Sequence, residues 1–112
     1  MPPTALPALK RGDTWALTFV ALEATDGPPL DLTGCAAAMQ LRHPQTDALA
    51  ATPDSIVLTP LAGTVLATFL PATTATVPVG TYLTDLEITF ADGQVRSSQT
   101  LVITVIADQT RP

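Results

Sequence analysis

The chain has 112 residues and a net charge of −5, with 13% charged and 46% hydrophobic side chains. That length suits one domain able to bury its own core, and that apolar content excludes charge-rich disorder. Five cations, only Lys10 and Arg11 of them adjacent, exclude a phosphate-binding patch. No stretch reaches the roughly 18 apolar residues of a membrane span. So few charges also predict a surface partly covered by partners, in keeping with a mean hydropathy of +0.34.

Residues 1–12 carry Pro2, Pro3 and Pro7, whose fixed φ and missing N–H favour an extended arm. A long strand is predicted over 14–24, with Trp15, Leu17, Phe19 and Ala21 on one face and Ala16, Thr18, Val20 and Leu22 on the other. Thr25-Asp26-Gly27-Pro28-Pro29 is a turn signal. A second strand over 35–43 follows, with Met39 and Leu41 inward, and residues 44–54 read as a loop. A short strand over 55–59, the Gly63 turn and a strand over 64–70 come next, and Pro71 opens one helical turn over 71–77. The clearest alternation runs over 80–90, with Tyr82, Leu86, Ile88 and Phe90 opposite Leu83, Asp85, Glu87 and Thr89. Asp92-Gly93 then turns the chain into a last strand over 94–106, with Leu101, Ile103 and Val105 inward.

About six or seven strands without βαβ alternation predict an all-β fold, a two-sheet antiparallel immunoglobulin-like β-sandwich with an extended N-terminal arm. The arm takes residues 1–12 and the sandwich 13–112. Trp15, Leu17, Phe19, Leu86, Ile88 and Leu101 are expected in the shared core.

The order GDTWALTF, a DG turn, DLTG, MQLR, a Gly-initiated strand and VGTYLTDLEITFADGQV resembles a domain common in tailed bacteriophages. It is similar to the N-terminal immunoglobulin-like domain of baseplate upper proteins and comparable small virion proteins, over residues 11–110. These motifs are turns and core positions, so they specify a fold better than a role. The resemblance implies a structural protein that docks at a tail tip or baseplate and holds receptor-binding parts. The chain reaches only Pro112, so a fibre would be attached non-covalently, and capsid decoration or a head–tail neck role competes. A bacterial surface adhesion module is the further alternative. MPPTALPALKRGD has neither a basic start nor a continuous apolar stretch and predicts no secretory signal. The single cysteine, Cys35, fits folding in a reducing cytoplasm, and the resemblance implies a virion made in the host cytoplasm as the location.

No enzyme, cofactor or metal is expected. The only histidine, His43, ends a strand without a nucleophile or acid motif nearby, and Cys35 reads as a small buried apolar residue. Asp26, Asp31, Asp54 and Asp92 stand where turns need them, with a loop calcium site as the alternative. Asp85 and Glu87 share an outer strand face and are expected to meet Arg42 or Arg96 on a neighbouring strand, not to form a catalytic pair. Arg11-Gly12-Asp13 spells an adhesive tripeptide but reads as the turn feeding the first long strand. Trp15 and Tyr82 point inward, which favours core packing over carbohydrate stacking.

The outward faces are informative. Ala16, Thr18, Val20 and Leu22 on the first strand, and Val102, Thr104 and Ile106 on the last, are apolar or threonine, where a solvated strand would carry clearly polar residues. Cover by neighbouring subunits, or by a loop or the proline arm of the same chain, are the two readings. The expected partners are other virion structural proteins in a homo-oligomer or multi-copy lattice, with no nucleic acid and no membrane. The arm is expected to lie on a neighbour through Leu6 and Leu9, with Val20, Leu22, Val102 and Ile106 forming the rest of the interface.

Overall fold

The computed structural model describes residues 4–23 and 27–109. The arm enters as β1 (Thr4–Ala5) and β2 (Leu9–Lys10), separated by Pro7, which has no N–H to pair. A turn through Gly12, at φ 90°, leads into β3 (Trp15–Val20). Along β3 burial alternates in the two-residue period of a pleated strand, with Trp15, Leu17 and Phe19 inward. The chain then reverses: Leu30 N–H donates to Ala21 C=O at 2.8 Å and Glu23 N–H to Pro28 C=O at 3.0 Å. Thr25 and Asp26 of the expected turn lie outside the described residues.

The strand expected over 35–43 is two strands, β4 (Ala36–Met39) and β5 (Leu41–Arg42), broken at Gln40. The expected loop over 44–54 contains β6 (Leu49–Ala51), which pairs back on β5. β7 (Ser55–Thr59) runs into a 3-10 turn (Pro60–Ala62) ended by Gly63 at φ 63°, and β8 (Thr64–Phe69) returns beside it. Glycine is required at 63, because a Cβ there would sit 2.7 Å from the Ala21 carbonyl oxygen. The helical turn α1 (Pro71–Thr74) starts at its proline, as expected. The segment over 80–90 splits at Asp85 into β9 (Gly80–Thr84) and β10 (Leu86–Thr89). The last segment splits into β11 (Val95–Ser97) and β12 (Leu101–Ile106).

β3, β8 and β7 form one antiparallel layer in the order β3-β8-β7. The facing layer is bent. One part runs β12-β9-β5-β6 and the other β11-β10-β4, and the breaks at Gln40, Asp85 and 98–100 fall beside one another in the register. Side-chain hydroxyls take up backbone groups along the bend: Thr84 Oγ1 donates to Gln40 C=O at 2.7 Å, and Leu86 N–H donates to Ser98 Oγ at 2.9 Å. Burial keeps its alternation straight through Asp85, from Tyr82 and Thr84 to Leu86 and Ile88. The period of two therefore gives no sign of the break.

The chain crosses between layers after β3, β6 and β8, the Greek-key path of an immunoglobulin-like sandwich. Tyr82 Oη donates to Pro78 C=O at 2.6 Å, the tyrosine corner characteristic of that fold. The protein is thus an all-β immunoglobulin-like sandwich. Its core joins Trp15, Val65 and Phe69 to Tyr82, Leu86 and Ile103, with the Trp15 and Phe69 rings 5.6 Å apart and tilted. Of the residues expected there, Trp15, Leu86, Ile88 and Leu101 are buried, but Leu17 and Phe19 are only half-buried. The reason is that β3 is an edge strand.

The arm corrects the expectation of a neighbour-bound segment. β1 and β2 pair in parallel with β12 of the same chain, Thr4 with Leu101, Ala5 with Val102, Leu9 with Val105 and Lys10 with Ile106. Leu6 and Leu9 pack against the chain's own core. An uncovered β12 would expose a row of unpaired backbone groups, and the arm covers that edge.

Candidate interaction surfaces

The chemically versatile side chains are dispersed. Half-buried His43 lies against the Tyr82 ring at 5.1 Å, and Cys35 is a half-buried free thiol. Among the described residues no three of His, Cys, Asp and Glu converge where they could hold a metal ion. Asp31 and Asp54 both accept from backbone N–H groups, Asp31 within its own turn and Asp54 from Leu70 at the start of α1. Asp31 accepts from Thr33 Oγ1 and Thr33 N–H, and these bonds hold its carboxyl below the usual range. Asp13 is the opposite case: a hydrogen bond with the Asp108 carboxyl raises its pKa, and this pairing was invisible in a sequence that separates the two so widely.

Asp85 and Glu87 are exposed along a shallow groove that Arg42 also lines. The expected ion pairs do not form. Arg42 donates instead to Asp47 C=O and Gln40 Oε1, and Arg96 lies over the Phe90 ring at 5.5 Å. The Arg11-Gly12-Asp13 tripeptide is tied into its own domain. Arg11 Nε donates to Ala75 C=O, Gly12 N–H donates to Thr74 Oγ1, and Thr74 Oγ1 donates to Asp13 C=O.

The expected interface residues are not brought together. Leu6 and Leu9 are taken by the core, Val20 and Leu22 lie on the β3 layer, and half-buried Val102 and exposed Ile106 lie on the opposite, bent layer. What the register assembles instead is the outer face of β3-β8-β7. Ala16, Thr68 and Ser55 form one row across it, Thr18, Leu66 and Val57 the next, and Val20, Thr64 and Thr59 the third. None of these side chains is charged, and Val20 and Val57 are 59% and 56% exposed. Leu66 and Val57 went unrecognised in the sequence because only the register aligns them with Thr18. This is the reverse of a solvated sheet face, which carries charge between apolar positions.

No family model and no curated protein matches the chain. Similar solved structures are CopC from Methylosinus trichosporium OB3b and murine CRIg. CopC is 13% identical, with 98% of this chain and 89% of that chain covered at a TM-score of 0.48. CRIg is 12% identical, with 93% of each chain covered at a TM-score of 0.45. At such values the fold assignment rests on the strand order and register themselves.

Proposed function

We propose that this chain is a non-catalytic structural protein of a tailed-phage virion, acting through protein–protein contacts at a tail tip, baseplate or fibre attachment. The observation that carries the binding part of this reading is the uncharged outer face of β3-β8-β7. Burying it against a partner costs no charge desolvation and removes exposed Val20, Val57 and Leu66 from water. The virion part is supported by the sequence resemblance, which runs through the β3 and β9–β11 segments. The partners are other virion proteins, in a multi-copy arrangement.

Antibody against the chain should detect it in particles banded from the producing culture. A Leu66→Glu chain should melt at the same temperature as wild type, because residue 66 faces outward, yet fail to enter those particles. Absence of the wild-type chain from the particles overturns the virion reading. Normal incorporation of Leu66→Glu overturns the outer face as the contact.

A further inference from the structure

We propose that the open side of the sandwich between β3 and β11 is an acceptor groove for one extended strand of a partner protein, apolar at alternate positions and carrying a carboxylate. This rests on the reading that the chain works by binding proteins, but it uses a different surface from the outer face. β3 pairs only with β8, and β11 only with β10, so each presents a free backbone edge among the described residues. A cleft of about 320 Å³ lies against both.

The lining shows how the cleft meets them. It touches Phe19 and Val20 at the end of β3 and Ala21 and Leu22 just beyond, and Arg96 and Ser97 at the end of β11 with Ser98 just beyond. Successive side chains of a strand point to opposite faces. A cavity in contact with all of them therefore meets the strand edge-on. Its floor is apolar, built by Leu86, Ile88 and Phe90 of the β10 segment together with Leu30.

These features specify the occupant. A strand edge offers N–H and C=O groups at the repeat of extended backbone, and the ligand that pairs with them is itself extended backbone. The apolar floor accepts every second side chain of such a strand. Charge supplies the remaining constraint. Among the described residues Arg96 is the only ionisable side chain in the lining, on a chain whose net charge is −5. Its guanidinium rests on the Phe90 ring, and no described residue of the lining is a carboxylate. An incoming acidic side chain complements it, whereas a basic strand meets repulsion. The chain's own N-terminal strands do not fill the groove, because both are paired to β12.

The probe is the peptide acetyl-Thr-Val-Thr-Val-Glu-Val-Thr-amide, added to the full chain and followed by NMR and amide hydrogen exchange. Saturable binding is expected, with exchange slowed about tenfold or more at the outward amides of β3 and at 95–97. Replacing the central valine of the peptide by proline removes an N–H and should abolish binding. Replacing its glutamate by lysine should weaken binding about fivefold or more, and Arg96→Glu should reverse that preference. Leu66→Glu should bind the peptide like wild type, which separates this groove from the outer face. The proposal is overturned by absence of saturable binding, by equal binding of the proline peptide, or by protection confined to the β6 or β7 edges.

Discussion

Thr74 is a fully buried hydroxyl at the junction of the arm, β3 and α1. Its Oγ1 donates to Asp13 C=O at 2.7 Å and accepts from Gly12 N–H at 3.0 Å. Thr74→Val keeps the shape but leaves both backbone groups unpaired, so chemical denaturation should show a loss of about 1–3 kcal/mol. Asp54 acts across a longer separation. Its carboxylate accepts from Leu70 N–H at 2.7 Å and from Thr73 Oγ1 at 2.9 Å, holding the start of α1, and these bonds lower its pKa, the Leu70 bond most. A depressed folded pKa means stabilisation that is present above the unfolded value, about 3.9, and is lost as pH falls through the folded one. The difference in Tm between wild type and Asp54→Ala should therefore be widest near neutrality and close on acidification below about pH 4. Thermal melts across that range check it, and a gap that stays constant would refute the assignment. The sequence marked Asp54 as a turn residue, and its bonds to α1 were not legible because only folding brings the two segments together.

At the level of elements, edge position decides what a core residue contributes. Phe69 and Phe19 both point inward, but β8 is the middle strand of its layer and β3 an edge. Phe69, with no exposed surface, should cost about 3–5 kcal/mol when cut to alanine. Phe19 opens on the cleft, and its truncation should cost less, about 1.5–3 kcal/mol. Urea titrations of the two variants provide the comparison, and equal losses would contradict the edge argument. Alternation assigned the inward face of β3 correctly, yet alternation carries no information on which strands have neighbours on both sides. The same gap explains β6: Leu49, Ala50 and Ala51 are too short and too small to signal a strand, and pairing with β5 makes them one.

For the whole molecule, the arm's attachment changes what its removal should do. Deleting residues 1–10 strips the parallel pairing from β12, takes Leu6 and Leu9 off the core and removes the Lys10 carbonyl that accepts from Trp15 Nε1 at 2.8 Å. The truncated chain should melt at a lower temperature and self-associate through the bared β12 edge. Differential scanning calorimetry and sedimentation velocity measure both. A truncated chain that is as stable and monodisperse as the full one would show that the arm belongs on a partner after all.

The amino-acid sequence by itself determined the strand faces, the positions of most turns, the helical turn at Pro71 and the sandwich class. Each of these depends on local facts: the period of two, the fixed φ of proline, and the turn signals at Gly63 and Asp92-Gly93. Tertiary structure alone decided that the arm closes β12, that three strands bend along one line, and that Thr18, Leu66 and Val57 align into an uncharged row. Among the described residues it also left the edges of β3 and β11 open around the cleft. The physical reason is that side-chain alternation says which face of a strand meets the core, whereas backbone hydrogen bonds choose the neighbour, and backbone groups are the same in every residue except proline.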